Sequence, residues 1–341
     1  MGSVLYPAVA GAAAPPARLV DVLSPHGERA LDFLLHDASP TQAASLRERL
    51  PELTLQAQRE VPAAAQAGGF PVLLFSPGGE SSRAACLPLA EVLAAAGYLV
   101  LALDGVRDSP AQVFPDGEIN APPLLPGESP ITPRIADLRC LLDDLPALDA
   151  RGPLAGCLDL RRVGALGHSR GGYLANIVAV EDGRVRAAAN MDGFPWGLWT
   201  AGTGLDEYPP EFQARARGSS ASVLRLVGQQ TDPSVARERY VSEARDFGGA
   251  FSFVALEGFE HRHFASAPYL CGRPADAVAA LDRLEEHRRS TAVLAPIMTA
   301  FFNVALSGHP PAERLNTRPG DFFAERLPCP ALLTTGPALA G

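Results

Sequence analysis

Lysine is absent from this chain: all 29 of its basic side chains other than histidine are arginines. Beside abundant alanine, glycine and proline this reads as coding bias, and it carries no functional message. The arginines are also dispersed. Against 38 acidic residues they leave a formal charge of -9. With no basic run anywhere, the chain lacks the concentrated positive surface that phosphate contacts require, so nucleic acid is excluded as an expected partner. Cysteine is scarce, at five residues: Cys86, Cys140, Cys157, Cys271 and Cys329. No C-x-x-C spacing occurs among them, which removes the usual signals for zinc or a dithiol redox pair. Buried thiols are expected, with a Cys271–Cys329 disulfide as the alternative for an exported protein. A membrane span of about 20 apolar residues is missing as well. The longest apolar stretch, Val293 to Leu306, is interrupted by Pro296, Thr299 and Asn303 and reads as a buried terminal helix. The start, Met1-Gly-Ser-Val-Leu-Tyr-Pro7, shows neither the basic region nor the apolar region of a signal peptide. That pattern predicts a cytoplasmic chain, or a secreted one if this start is processed or engineered.

What is present is an alternation of apolar strands and amphipathic helices. Pro71 to Phe75 is a short apolar run bounded by glycine and proline; Leu87 to Ala95 follows with helical spacing, and Gly97 stops it. Tyr98 to Leu103 reads as a second buried strand, and Asp137 to Leu145 places Leu138, Leu141, Leu142 and Leu145 on one helical face. Val163 to Leu166, Arg186 to Met191, Ser222 to Val227 and Phe251 to Leu256 continue the strand series. Apolar strands separated by helices imply an α/β fold with a mostly parallel central sheet covered on both faces. At 341 residues the chain is long enough for two domains, yet no repeat or low-complexity linker divides it. The reading is therefore a single domain over 1–341. Residues 1–68 form an N-terminal extension that adds antiparallel edge strands. The proline-rich segment 105–133 and the irregular segment 193–220, which holds both tryptophans, are expected to be pocket-lining loops.

The most informative segment is Val163-Gly-Ala-Leu-Gly-His-Ser169-Arg-Gly-Gly172. It runs from an apolar strand through G-x-S-x-G into a helical stretch, the context of a nucleophile elbow, and makes Ser169 the candidate nucleophile. A serine hydroxyl is a poor nucleophile near neutral pH and needs a base, an orienting acid and an oxyanion hole. His261, in the loop directly after the last strand, is the candidate base, and His263 is its competitor. The H-x-H pair has no acidic or cysteine cluster to complete a metal site, so no metal and no cofactor are expected. Two aspartates, each ending a strand, compete for the acid: Asp192 and Asp232. Local sequence leaves that choice open. Candidate oxyanion donors are the backbone N–H of Arg170, which follows the nucleophile, and that of Gly79 in the loop Ser76-Pro-Gly-Gly-Glu80.

Taken together, Phe75-Ser-Pro-Gly-Gly79, Phe114-Pro-Asp-Gly117, the stretch Pro153 to Gly172, Asn190-Met-Asp-Gly193 and Gly258-x-x-His261 make the chain resemble a known group. That group is the bacterial platelet-activating-factor acetylhydrolase-like branch of the α/β-hydrolases, over about residues 70 to 310. The resemblance implies a Ser169–His261–Asp192 triad, because the acid in that family closely follows the strand after the elbow helix. It also implies small-molecule esters as substrates, with short-chain or phospholipid-like acyl groups. Two positions depart from the family pattern: Arg170 stands where an apolar residue is usual, and Glu80 follows the oxyanion loop. Arg170 is expected to pair with Glu80, to meet an anionic group of the substrate, or to be a solvated arginine whose backbone alone matters. The functional expectation is a serine esterase acting through an acyl-enzyme. The alternatives are a biosynthetic cyclase or acyltransferase using the same triad, and an inactive binding protein on the same scaffold. Nothing in the sequence fixes oligomeric state.

Overall fold

A computed structural model describes residues 2–12, 14–19, 31–32, 35–36, 38–105, 108–109, 112–113, 119–120, 131–193, 210–228, 243–245, 247–265, 274–307 and 333–334. In chain order the elements begin with β1 (Gly2–Leu5), β2 (Pro16–Arg18), α1 (Pro40–Arg49), β3 (Thr54–Gln58), β4 (Phe70–Ser76), α2 (Leu87–Ala95) and β5 (Leu99–Leu103). The short strands β6 (Gln112–Val113) and β7 (Ile119–Asn120) precede α3 (Ile131–Ala150), β8 (Leu158–His168), α4 (Arg170–Glu181) and β9 (Val185–Met191). The series closes with α5 (Pro210–Gly218), β10 (Ser222–Val227), β11 (Phe251–Leu256), α6 (Pro274–Leu281), α7 (Leu284–Ala305) and β12 (Leu333–Thr334).

The central sheet has the order β1-β5-β4-β8-β9-β10-β11-β12. Its six inner strands are parallel, while β1 and β12 pair antiparallel at the two edges. In the N-terminal extension, β2 and β3 form a separate two-stranded antiparallel sheet. Side chains of a strand alternate between faces, so a strand covered on both sides is apolar at every position. Strand β4 shows this directly, with all seven residues buried. Val72 and Leu74 join a core with Leu138 and Leu142 of α3 and with Leu174 and Val178 of α4. Leu73 and Phe75 join the opposite core with Leu87 and Leu93 of α2 and with Leu294, Met298 and Phe302 of α7. A fully buried Leu or Phe side chain contributes about 1.5–3 kcal/mol relative to exposure, so the two cores hold the sheet between helices and fix the strand ends in space. The stretch Val293 to Leu306 falls within and just beyond α7, a buried helix with Pro296 inside it. Among the described residues, no helix is long and apolar enough to cross a membrane.

Candidate active site

The C-terminal ends of β4, β8, β9 and β11 bring the candidate residues to one edge of the sheet. Ser169 lies between β8 and α4 at φ 54 and ψ -122, a conformation that costs a non-glycine residue roughly 1–3 kcal/mol. The neighbours hold it there. Its N–H donates to the Met191 carbonyl at 2.9 Å, and its own carbonyl accepts from the N–H groups of Gly172 and Tyr173. Position 171 has to be glycine, because a Cβ there would lie 2.0 Å from the Ser76 carbonyl oxygen. The sharp turn thus depends on close contact between the elbow and the end of β4.

Asp192 follows β9 at φ 51. Its N–H donates to the Leu226 carbonyl at 2.8 Å. Its Oδ1 accepts from the Gly228 N–H at 3.0 Å, and its Oδ2 meets His261 Nδ1 at 2.7 Å. With Nδ1 turned to the carboxylate, Nε2 is the ring nitrogen of His261 left for a serine hydroxyl. Ser169 and His261 line the same cavity of about 450 Å³. Asp232, the other candidate acid, lies outside the described residues, as do Cys271 and Cys329. Cys140 and Cys157 are free thiols, and Cys86 is buried.

His261 opens a single 3-10 turn, His261–Phe264, after β11. His263 closes that turn. Its Nδ1 accepts from the Glu260 N–H at 2.7 Å, and its Nε2 meets the Glu286 carboxylate. Both nitrogens of His263 are therefore engaged in holding the loop, and the ring is buried. A second imidazole supports His261. His168, the residue before Ser169, packs its ring against that of His261 at 4.5 Å between centroids. Its Nε2 lies 3.0 Å from the His261 carbonyl, an acceptor, so Nε2 carries the proton. Burial, reinforced by the neighbouring His261, lowers the His168 pKa to about 3, and the ring is neutral under ordinary conditions.

The candidate oxyanion loop Ser76–Glu80 folds over the serine: a Cβ on Gly78 would sit 3.4 Å from Ser169 Cβ. Gly79 lines the cavity beside Gly78 and Ser169, and Arg170 provides the first backbone N–H of α4. An N–H at a helix N-terminus is well suited to a developing negative charge. Beneath the loop lies a buried ionic network. Arg134 of α3 donates to the Ser76 hydroxyl at 2.6 Å, to the Pro77 carbonyl at 2.6 Å and to the Gly78 carbonyl at 3.4 Å. The same guanidinium pairs with Asp108 at 2.6 Å. The Asp108 carboxylate also accepts from the Glu80 N–H at 3.4 Å and binds Arg170 Nη1. This corrects the expected pairing of Arg170 with Glu80. The Asp108 carboxylate is buried beside Arg134 and attracts a second guanidinium, whereas Glu80 occupies an exposed turn at φ 53. On the far side of the site, the wholly buried Arg225 donates to the Gly193 carbonyl and faces Glu243 at 3.8 Å. That contact braces the turn carrying Asp192.

His168, Arg134, Asp108 and Arg225 are not among the residues that the sequence singles out. Only His168 carried a signal there, as the variable residue of the G-x-S-x-G itself. Among the described residues no group of three or more His, Cys, Asp or Glu side chains could hold a metal ion.

No family model matches the chain. Among curated proteins, it is 35% identical over 137 residues to the "Probable 1-alkyl-2-acetylglycerophosphocholine esterase" of Arthroderma benhamiae. The alignment covers 38% of this chain and 33% of that protein, so the match spans about a third of the relative's length. Among solved structures, the chain is similar to the ferulic acid esterase from Streptomyces cinnamoneus, with a TM-score of 0.65 and 25% identity. That superposition covers 91% of this chain and 83% of the other. Sheet, elbow and both relatives agree with the resemblance read from the sequence.

Proposed function

We propose that this chain, an α/β-hydrolase resembling the platelet-activating-factor acetylhydrolase-like esterases, hydrolyses carboxylic esters through an acyl-enzyme on Ser169. The observation that carries the reading is the pairing of His261 Nδ1 with Asp192 Oδ2 at 2.7 Å, in a cavity shared with a serine on a strained elbow. In this reading His261 Nε2 takes the proton of Ser169 as its Oγ attacks the ester carbonyl. Asp192 holds the ring in the required tautomer and stabilises the imidazolium. The backbone N–H groups of Gly79 and Arg170 receive the oxyanion, His261 protonates the departing alcohol, and water, activated by the same imidazole, releases the acid. Two partly exposed side chains, His261 and Asp192, leave the site open to a substrate from solvent. The named activities of the two relatives, an acetylglycerophosphocholine esterase and a ferulic acid esterase, support an ester as the reacting group and leave both sides of it wide in chemistry.

The test is hydrolysis of p-nitrophenyl esters from acetate to palmitate by the wild type and by Ser169→Ala. Turnover by the wild type that falls at least about 10³-fold in the variant, the scale of losing a triad nucleophile, is expected. Wild-type turnover that survives the substitution would remove Ser169 from the reaction.

A further inference from the structure

Beyond Ser169 the cavity runs along α6 and the first turn of α7, past Asp276, Ala279, Ala280, Arg283 and His287. His287 differs chemically from its neighbours. Its side chain is 2% exposed, and neither Nδ1 nor Nε2 has a hydrogen-bond partner among the described residues. Its backbone is fully served by the helix: the N–H donates to the Arg283 carbonyl at 3.1 Å, and its carbonyl accepts from Thr291 Oγ1 at 3.0 Å. The deficit is confined to the ring. Buried polar groups are nearly always paired, so an imidazole left unpaired beside a candidate reaction cavity calls for a partner that arrives from outside the chain.

The surroundings narrow what that partner is. Glu286, adjacent in sequence, is engaged by His263 and by Arg262 at 3.2 Å. Burial lowers the His287 pKa to about 4; Glu286 raises it, while His263, Arg262 and Arg283 lower it further. The ring is therefore neutral at pH 7 and brings no positive charge with which to select a carboxylate or phosphate. The charged side chains lining the cavity, Glu260 and Asp276 against Arg262 and Arg283, balance and favour neither sign. A neutral imidazole offers one donor and one acceptor. A hydroxyl can accept from the first or donate to the second, whichever nitrogen faces it. An ether or carbonyl can only accept, and an alkyl chain would leave the ring unpaired.

We propose that His287 is a specificity-determining residue that binds a hydroxyl group of the substrate, making hydroxylated esters the preferred class. This rests on the ester hydrolase reading above. A site built around a hydrogen bond to a hydroxyl discriminates against the analogue lacking it, because the buried protein group is then left unpaired.

The test compares kcat/KM within two matched pairs: methyl 4-hydroxycinnamate with methyl cinnamate for the acyl side, and 2-hydroxyethyl butanoate with ethyl butanoate for the alcohol side. The wild type is expected to favour the hydroxylated member of one pair by about 10-fold or more, the scale of one well-placed hydrogen bond. In His287→Leu the ratio should collapse towards one, and in His287→Gln, which keeps a donor and an acceptor, part of it should return. A wild-type ratio near one in both pairs overturns the proposal, and does so even if His287→Leu fails to fold. Equal losses on both members of a pair in the variants overturn it too, since a purely structural imidazole, or one holding an ordered water, would act in that way. Turnover of the esters without preference leaves the esterase reading standing and removes this one. Turnover of no ester, p-nitrophenyl acetate included, removes both.

Discussion

Replacing Arg134 by methionine should weaken the protein and slow it by separable amounts. The side chain is 2% exposed and donates to the Ser76 hydroxyl and the Pro77 carbonyl, each at 2.6 Å, while pairing with Asp108 at 2.6 Å. Methionine fills similar volume and supplies no donor. Breaking a buried ion pair by removing one partner costs about 3–5 kcal/mol. Asp108 keeps Arg170 as a counter-charge, so the lower end of that range, about 3 kcal/mol, is expected. The kinetic effect follows from the carbonyls. Without the guanidinium, Ser76 to Gly78 lose the clamp that, in the proposed mechanism, aims the Gly79 N–H at the developing oxyanion. Losing one oxyanion donor outright costs about 10²–10³ in kcat; Arg134 acts one residue removed, so a fall of about 10–10² in kcat is expected, with KM changed by less. Denaturant unfolding with linear extrapolation, and steady-state turnover of p-nitrophenyl acetate, measure the two quantities. A variant destabilised by about 3 kcal/mol whose kcat stays within twofold would show that the oxyanion loop stands without Arg134, and the positioning argument would be wrong.

Asp192→Asn should lower kcat by about 10³–10⁴, because an amide opposite His261 Nδ1 favours the wrong imidazole tautomer. Asp232→Asn should stay within a few-fold of wild type, and the reverse pattern in steady-state assays would transfer the acid role to Asp232. Stability should decline on the acid side of neutrality. His168 and His287 are neutral in the folded protein, with pKa values lowered to about 3 and about 4, while an unfolded histidine titrates near about 6.5. The unfolded chain therefore binds more protons between those limits. The contribution of each ring is complete above the unfolded value and is lost as pH falls towards the folded one, at up to about 1.4 kcal/mol per pH unit per histidine. Unfolding curves from pH 7 to pH 4 should show this slope, and the double variant His168→Phe, His287→Leu should flatten it; a wild-type slope that survives in the double variant would assign it elsewhere.

The strands of the sheet were legible because burial on both faces leaves little choice of residue. Ser222 to Val227 and Phe251 to Leu256 coincide with β10 and β11, and Leu87 to Ala95 coincides with α2. Strand β8 begins earlier than the apolar run Val163 to Leu166 suggests. Its first residues include three charged ones, and Asp159 settles that charge by pairing with Arg162 at 2.7 Å and Arg161 at 3.2 Å. Helix α1 escaped notice, although Ser39 and Gln42 form a capping box, because its core contact is largely Leu46 and it carries no strong apolar stripe. Ser169 and His261 were legible because each follows an apolar strand, where chain order and turn chemistry expose it, whereas Asp192 was distinguished from Asp232 only by the family resemblance. The supporting residues were not. Arg134 on a helix reads as a solvated charge until Asp108, 26 positions away and set among prolines, is folded against it. Likewise nothing in Glu285-Glu-His287-Arg288 marks the histidine as the one member whose side chain turns inward.

Covalent labelling with a fluorophosphonate probe, read by peptide mass spectrometry, tests the central claim most directly. The account predicts one adduct, on Ser169, formed rapidly by the wild type, absent from Ser169→Ala and strongly slowed in His261→Ala. An unlabelled Ser169 in folded wild-type protein, or an adduct on a different serine, would contradict it.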